Sequence, residues 1–431
     1  MLDYRNIFFK KKILIYGLGK SGLSALKFLK KNNITYLYDD NKNNIKDILL
    51  KKKFISYNKI LNLKVDYIII SPGINIRTCK LKKFLKKNSK KIHTDLDVFF
   101  TSYSKNKNIT ITGTNGKSTT AQILFEVLKQ QKFDVRLVGN IGNPILLEKK
   151  ITNKTIFVIE ASSYQLEYSK LFKAKLAVLL NISPDHLERH RTLKKYIQAK
   201  FRLIKNQTEK DYAIINNKNI HIKKHIKNKI FLPKIIKVDL NAKSINLRKL
   251  GNSYFYTDGN KENLSFVLEI AKLLKIRKKD LLKTLKGFSG LKYRQQIIYK
   301  SKKITIINDS KATSFSSSAS ILRSLNNVYW IVGGLAKKGD KFLLSKNHCK
   351  NIKAYVFGND RNLFVNKLKN IVRYESFTDL KFLVKKIFKD LKNNNQNHQT
   401  ILFSPSAASF DNFKNFEERG KYFNNLIKKF L

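Results

Sequence analysis

Ile109-Thr110-Ile111-Thr112-Gly113-Thr114-Asn115-Gly116-Lys117-Ser118-Thr119-Thr120 is the stretch on which the fold turns. Its first four residues are all β-branched, as suits a buried strand. A glycine-bearing loop follows, and then the apolar spacing of a helix over 118–131. A strand that enters a helix through such a loop aims backbone N–H groups at whatever lies above the helix N-terminus. That arrangement cradles phosphate oxygens. Lys117 is placed to reach the β- and γ-phosphates of a nucleoside triphosphate, and the Ser118 hydroxyl to ligate Mg²⁺. Gly113, Thr114, Asn115, Gly116, Lys117, Ser118 and Thr119 are therefore the candidate nucleotide cradle. The loop is shorter than the full G-x-x-x-x-G-K-[ST] pattern, because Ile111 stands where the first glycine would be.

The same strand–helix rhythm repeats on both sides. Upstream, apolar runs at 13–16, 35–38 and 67–70 read as buried strands, with helices over 20–31 and 79–87. Around the loop, strands are expected at 109–112, 135–138, 156–159, 176–181 and 212–215, with helices over 118–131, 193–205 and 262–275. A third series places strands at 304–307, 328–332, 354–357 and 401–403, and helices at 316–325, 380–391 and 417–429. This predicts an α/β protein of three consecutive units with largely parallel sheets. Residues 216–259 are rich in Lys and Asn with weak periodicity, and no element is assigned to them. Joins are expected near 97–107 and 290–294.

Composition limits the classes of function. The chain has 431 residues, which at roughly 150 per domain means about two to four domains. Apolar residues make up 42%, enough for ordinary cores. The cysteines, Cys79 and Cys349, are too few for a disulfide framework. They fit a reducing compartment and read as small buried hydrophobes. No apolar run approaches the ~18 residues of a bilayer span, and the basic start over 1–12 has too short an apolar stretch for a signal peptide. A cytoplasmic protein with no membrane association is expected. The net charge of +58 raises the question of nucleic acid. Yet the lysines are spread along the whole chain beside Asn and Ile, not gathered in a stripe with interleaved aromatics. Lys, Asn, Ile and Phe share A/T-rich codons, so genome composition accounts for the charge. No nucleic-acid partner is expected, although the charge favours anionic nucleotide substrates.

Further motifs lie at strand ends. Gly17-Leu18-Gly19-Lys20-Ser21-Gly22 follows a strand and opens a helix, and Asp39 lies about twenty residues on. The physics says that a diphosphate sits near a helix N-terminus; a UDP diphosphate satisfies it as well as NAD does. Ser71-Pro72-Gly73 ends another strand of the same unit. Glu160 ends the strand expected beside the loop strand, where a carboxylate can complete a Mg²⁺ shell. Asn181-Ile182-Ser183-Pro184-Asp185-His186 ends a further strand, making His186 a metal-ligand or carboxylate-orienting candidate. Lys200 lies on the next helix. On residue type alone it is one lysine among many.

Taken together, these pieces resemble the Mur ligase family, most of all its D-glutamate-adding branch, over nearly the whole chain apart from 216–259. The resemblance is carried by residues 17–22 with Ser71-Pro72-Gly73-Ile74, by Gly139-Asn140-Ile141-Gly142, and by Glu160-Ala161-Ser162-Ser163-Tyr164-Gln165-Leu166-Glu167. Above all it is carried by Ser404-Pro405-Ser406-Ala407-Ala408-Ser409-Phe410-Asp411-Asn412-Phe413-Lys414-Asn415-Phe416-Glu417-Glu418-Arg419-Gly420. It implies three domains. These are an N-terminal Rossmann-like UDP-binding domain (1–97), a central P-loop ATPase-like domain with a parallel or mixed sheet (98–293), and a C-terminal Rossmann-like domain that closes over ATP and D-glutamate (294–431).

The implied activity is ATP-dependent addition of D-glutamate to UDP-N-acetylmuramoyl-L-alanine, through an acyl phosphate, in cytoplasmic peptidoglycan precursor synthesis. The implied cofactors are ATP, two Mg²⁺ ions and CO₂ held as a lysine carbamate on Lys200; a monomer is expected. By the same resemblance Ser118 and Glu160 fall at the first Mg²⁺, with His186 and carbamylated Lys200 completing the metal set. Lys117, His186, Lys200 and Lys311 are the catalytic candidates. Ser21, Gly22, Asp39, Ser71, Gly73, Asn140 and Ser162 face the UDP-substrate. Asn260, Asn263, Arg294 and Asp309 join the ATP contacts, and Thr313, Lys337, Ser409 and Phe416 the D-glutamate contacts. Three departures stand out. Gly259 occupies the place of a family histidine before Asn260. Gln295 follows Arg294 where an aromatic is common. Leu335-Ala336 replace an acidic position, which loosens the register of Lys337. The alternatives are another Mur-type ligase or a folylpolyglutamate synthase with a different acceptor, an NAD-binding oxidoreductase on 17–22, and a nucleic-acid-dependent ATPase.

Overall fold

The loop strand lies at the centre of a six-stranded sheet, and that placement determines what surrounds the loop. The structure is a computed structural model and describes residues 7–44, 52–227, 229–240, 245–337, 339–393 and 398–431. Its residues gather into two compact units. The first comprises Met1–Ile182, His186–Asp239 and Glu269–Leu281; the second comprises Ser183–Asp185, Leu240–Leu268 and Leu282–Leu431.

The first unit carries two sheets. The smaller has strands β1 (Lys12–Tyr16), β2 (Ile34–Tyr38), β3 (Tyr67–Ile70) and β4 (Ile92–His93) in the order β2-β1-β3-β4, all parallel. The larger has β5 (Lys107–Thr112), β6 (Val135–Gly139), β7 (Ile156–Glu160), β8 (Leu176–Leu179), β9 (Tyr212–Ile215) and β10 (Lys234–Lys237). Their order is β10-β9-β8-β5-β7-β6, again all parallel. The inner strands are almost wholly buried because helices cover both faces of a parallel sheet, and most of them are near-continuous apolar runs, β5 with its Asn108, Thr110 and Thr112 excepted. One continuous core serves both sheets, running from Ile13 and Ile15 through Phe99 to Phe157, Phe172 and Tyr196. The helix Asp95–Ser102 joins them. Thr94 and Asp97 form its capping box. The Asp97 carboxylate also accepts from Ser169 Oγ (2.7 Å) and from the backbone N–H groups of Lys170, Leu171 (2.8 Å) and Phe172 (3.0 Å). The His93 imidazole, 3.2 Å from Oδ2, and these bonds hold the carboxyl below its ordinary range despite its burial.

The second unit is built on one sheet: β11 (Gln296–Lys300), β12 (Ile304–Asn308), β13 (Val328–Gly333), β14 (Ile352–Phe357), β15 (Arg373–Ser376) and β16 (Gln399–Phe403). The order is β11-β12-β16-β13-β14-β15, with β11 antiparallel to β12 and the other pairs parallel. Trp330, Phe315 and Phe364 pack on one face and Phe403, Phe423 and Ile387 on the other.

The α/β class and the three sheet regions match the sequence reading, and each expected strand and helix is present with shifts of a few residues at the ends. Residues 216–259, left without elements, contain the helix Ile220–Lys227, β10, the short helix Leu247–Leu250 and a 3₁₀ turn at Ser253–Tyr256. The strands that the reading omitted are β4, β10, β11 and β15. Three of these are sheet-edge strands that are only part-buried, such as Arg-Tyr-Glu-Ser in β15, so they lack an apolar run. β4 is two residues long. The helix expected from 262 starts at Asp258, which places Asn260 and Asn263 in its first turns. Among the described residues no helix is long and apolar enough to cross a membrane.

Candidate active site

β5 lies between β8 and β7, so the chain segments leaving those two neighbours flank its loop. From the β8 side comes Asn181. Its carbonyl accepts from Thr114 N (2.9 Å), its Oδ1 accepts from Asn115 N (2.8 Å), and its Nδ2 donates to Asn115 O (3.2 Å). One side chain thus braces the loop backbone. Gly116 sits at φ 84 in the left-handed region, where glycine carries no steric penalty, and the helix Lys117–Gln130 begins immediately after it. Lys117 bends back over the loop and donates to Gly113 O (2.9 Å) and Thr114 O (2.8 Å).

From the β7 side comes Glu160, paired in register with Ile111 and 1% exposed. Ser118 Oγ donates to its Oε2 at 2.6 Å and Asn140 Nδ2 to its Oε1 at 2.9 Å. An adjoining carboxylate and hydroxyl oxygen suit Mg²⁺, which takes one or two protein oxygens and completes its octahedron with phosphate and water. That fits the absence, among the described residues, of any cluster of three or more His, Cys, Asp or Glu side chains able to cage a metal. Lys200, on the helix Leu193–Lys205, is 2% exposed. Its Nζ donates to Gly113 O (2.7 Å) and lies 3.5 Å from Thr112 Oγ1 and 4.7 Å from the centre of the Tyr196 ring. Lys117 and Lys200 therefore meet on one carbonyl. His186 adopts a left-handed φ of 55, and its Nδ1 is 2.9 Å from Tyr164 OH.

The first glycine motif forms a tight turn from β1 into the helix Lys20–Leu29. A Cβ on Gly22 would lie 1.8 Å from Gly17 O, and Gly17 itself sits at φ 92. Asp39 Oδ2 accepts from Leu18 N (2.6 Å) and Ser71 Oγ donates to Gly17 O (2.6 Å), so both residues shape the loop directly. Gly73 O lies 3.5 Å from the Arg189 guanidinium, which also donates to Ile74 O (2.7 Å). Ser162 caps the helix Ser163–Tyr168. Ser21, Gly22, Asp39, Ser71, Gly73, Asn140 and Ser162 all belong to the first unit, in segments that follow its parallel strands. Ligands of open α/β sheets bind at such carboxyl ends.

In the second unit most candidates follow β12, β13 and β16, while Arg294 precedes β11 and Asn260 and Asn263 lie in the helix Asp258–Leu273. Asp309 accepts from Gln295 N (3.1 Å) and Ser404 Oγ (3.1 Å), and burial pushes its carboxyl up to about 7. The Phe416 ring lies beneath two cations, Lys311 Nζ at 4.0 Å and the Arg294 guanidinium at 5.8 Å. Ser409 is buried, and Thr313 is half-buried just before the helix Phe315–Leu322. Asn260 Nδ2 donates to Tyr254 O (2.8 Å) and Gln295 Oε1 (3.0 Å), and Asn263 Nδ2 lies 3.5 Å from Asn260 Oδ1. Gln295, the unexpected residue after Arg294, thus links Asn260 to Asp309. Lys337 pairs with Asp185 at 2.8 Å.

Several residues of these sites carried no assigned role in the sequence. Tyr196 OH meets Thr114 Oγ1 at 3.1 Å. His190 is fully buried, with Nε2 3.0 Å from Ser163 Oγ, and burial pulls its pKa down to about 4, so it is neutral at pH 7. Arg419 is buried and donates to Ser310 O (2.7 Å), Ala407 O (2.9 Å) and Ala408 O (3.2 Å). Their residue types suggest ordinary surface or core positions. Only the charge of Arg419, within a densely patterned run, marked it in the sequence.

Comparison with known proteins agrees with this geometry. The family model for the Mur ligase middle domain matches residues 111–276, and that for the MurD-like N-terminal domain of Mur ligases matches residues 11–93. The UDP-N-acetylmuramoylalanine–D-glutamate ligase of Rickettsia bellii is 32% identical, over 97% of this chain and 97% of the relative. The enzyme of that name from Rickettsia felis is 34% identical over 97% of each chain, and that from Caldicellulosiruptor bescii 30% over 98% of each. In fold, the chain is similar to UDP-N-acetylmuramate–alanine ligase from Thermotoga maritima, with a TM-score of 0.55 and 16% identity over 97% of this chain and 99% of the other. With relatives above 30% identity along nearly its whole length, and with a phosphate loop braced as described, the chain belongs to the Mur ligase family.

Proposed function

We propose that this chain is an ATP-dependent amide-bond ligase that adds D-glutamate to UDP-N-acetylmuramoyl-L-alanine in peptidoglycan precursor synthesis, in the cytoplasm and as a monomer. The observation that carries the reading is the convergence of Lys117, Lys200, Ser118 and Glu160 on one glycine loop at the end of a parallel strand. The names of the curated relatives supply the acceptor.

ATP phosphorylates the terminal carboxylate of the UDP-substrate, giving ADP and an acyl phosphate. The amine of D-glutamate attacks the acyl carbon, and the tetrahedral adduct expels phosphate. Such phosphoryl transfers depend on positioning and charge neutralisation. The loop N–H groups of 113–119 hold the phosphates. Lys117 exchanges its two loop carbonyls for the β/γ-phosphates. Ser118 and Glu160 would hold the first Mg²⁺ and His186 a second, with Lys200 as its carbamate supplying a further anionic oxygen; bound, the ions neutralise charge on the transferring phosphoryl group. Asn140 and Ser162 orient the alanyl carboxylate, and Ser21, Gly22, Asp39, Ser71 and Gly73 hold the uridine diphosphate. Asn260, Asn263, Arg294 and Asp309 contact ATP. Lys311, Thr313, Lys337, Ser409 and Phe416 receive D-glutamate and stabilise the transition state. In this reading residues 1–97, 98–293 and 294–431 are the substrate, ATP and closing domains, and closure excludes water from the acyl phosphate.

The test is an acceptor panel on purified protein. ADP release that requires UDP-N-acetylmuramoyl-L-alanine must appear with D-glutamate and not with L-glutamate, L-alanine or meso-diaminopimelate. Release with any of those three in place of D-glutamate assigns the chain to another acceptor and overturns the reading.

A further inference from the structure

We infer that Arg189 is a positioning residue for the UDP-substrate: with Glu167 and Arg77 it clasps the turn of residues 71–74 and holds it against the glycine loop. The inference rests on the reading above, in which Ser71 and Gly73 hold the uridine diphosphate.

The turn follows β3 and is closed by Ile74 N, which donates to Ser71 O (3.0 Å). One side of it packs on the glycine loop. Ser71 Oγ donates to Gly17 O (2.6 Å), and a Cβ on Gly17 would lie 2.7 Å from Ser71 Cβ and 2.9 Å from Ile74 Cγ1. On the other side its last two carbonyls meet Arg189. Nη2 of Arg189 donates to Ile74 O at 2.7 Å, and Nη1 lies 3.5 Å from Gly73 O. Arg189 belongs to the short helix Leu187–His190, which follows β8, so a residue of the larger sheet grips a turn of the smaller one. Glu167 fixes the guanidinium. Its Oε2 lies 3.4 Å from Arg189 Nε and its Oε1 3.0 Å from Arg77 Nη2. Arg77, just past the turn, returns the grip, its Nη1 donating to Arg189 O at 3.4 Å. The rings of Tyr164 and Tyr168, centred 4.9 Å and 5.6 Å from the Arg189 guanidinium, complete its surroundings.

Arg189 is buried, and the Glu167 side chain nearly so. Desolvating such ions offsets most of their attraction, so the cluster is a poor source of stability. What it supplies is direction, because the planar fork of a guanidinium fixes where its acceptors lie. Those acceptors are backbone carbonyls of the turn. The other partner, Glu167, lies at the end of the helix Ser163–Tyr168, and Ser162 caps the start of that same helix. In the functional reading the turn holds the diphosphate and Ser162 orients the alanyl carboxylate. The clasp thus sets the distance between the two ends of one substrate, using groups that need not touch it.

The test is calorimetric titration of the full chain with UDP-N-acetylmuramoyl-L-alanine, in the absence of ATP, Mg²⁺ and D-glutamate, beside steady-state kinetics. Arg189→Lys keeps the charge and loses the fork. It should raise Kd and KM for that substrate about tenfold, the scale of one lost charge-assisted hydrogen bond, with the KM values for ATP and D-glutamate within about twofold. Glu167→Gln should raise the same Kd, and the double variant should fall well short of the product of the two effects, since both act through one guanidinium. A purely structural role would lower the melting temperature and the binding stoichiometry and leave Kd unchanged. An unchanged Kd in Arg189→Lys, or effects that multiply in the double variant, overturns the inference. If Arg189→Lys does not fold, Arg77→Lys and Glu167→Gln loosen the clasp from its other members, and an unchanged Kd in both overturns it equally. Wild-type protein that binds no UDP-N-acetylmuramoyl-L-alanine defeats the functional reading itself, a distinct outcome that takes the inference with it.

Discussion

Replacing Arg419 with methionine should unfold the second unit at lower denaturant while leaving the first unit unaffected. The guanidinium is 1% exposed and donates to Ser310 O, Ala407 O, Ala408 O and Ser310 Oγ at 2.7 to 3.2 Å. Methionine keeps much of the apolar stem and none of the donors. Three backbone carbonyls then lose a partner. Ala408 O keeps its bond from Leu335 N (3.1 Å), so two buried acceptors are left unsatisfied at about 1–3 kcal/mol each, a gross loss of roughly 2–6 kcal/mol. Part of this is returned, because burial opposes the cation and pulls its pKa down to about 10, and desolvating a buried ion costs several kcal/mol. The net expectation is about 3 kcal/mol of destabilisation. Trp330 is the chain's one tryptophan. It lies buried in the second unit and donates to Ser404 O at 2.8 Å, so its fluorescence follows that unit alone. With a urea slope of about 3 kcal/mol/M, the Trp330 transition should move down by about 1 M. A shift below about 0.3 M at an unchanged slope would mean that the carbonyls find other partners and would refute the argument. Because Ser409 and Phe416 flank these carbonyls in sequence, KM for D-glutamate should rise in the same variant.

Three further outcomes are expected. Lys117→Ala should lower turnover by about 10²-fold or more without loss of fold; a variant retaining more than about a tenth of the activity would mean that the loop has been misread. Lys200→Ala should lose most activity and recover part of it with short carboxylic acids, which replace the anionic oxygens of a carbamate; a fully active variant, or one that no acid rescues, rules the carbamate out. For Asp309, whose carboxyl rises from 3.8 to about 7 by burial, the folded protein keeps a proton between those values that the unfolded chain has released. The stability held by its protonated form is therefore complete below pH 3.8 and lost as pH rises through about 7. Trp330-detected stability should decline across that window, and Asp309→Asn should flatten the decline; an unchanged slope would assign the titration to another group.

The phosphate loop was legible from the chain alone because all its determinants are local. Four β-branched residues, glycines at 113 and 116, a lysine, a serine and a helix follow one another within a dozen positions. Most other inner strands were legible for a related reason: burial on both faces of a parallel sheet favours near-continuous apolar runs. Edge strands such as β10 and β15 are half-solvated and leave no such signature. The tertiary structure decided which strand ends meet. The order β8-β5-β7 brings Asn181 to one side of the loop and Glu160 to the other, though they lie about seventy and fifty residues further along the chain. It also singled out Lys200 from a chain with 88 lysines and arginines, by burying its stem and setting its Nζ on Gly113 O. Arg419 stands out in the same way. A charge becomes informative only when it is taken out of water and every nearby polar group must be satisfied. That condition is set by contacts between distant segments, which no local periodicity records.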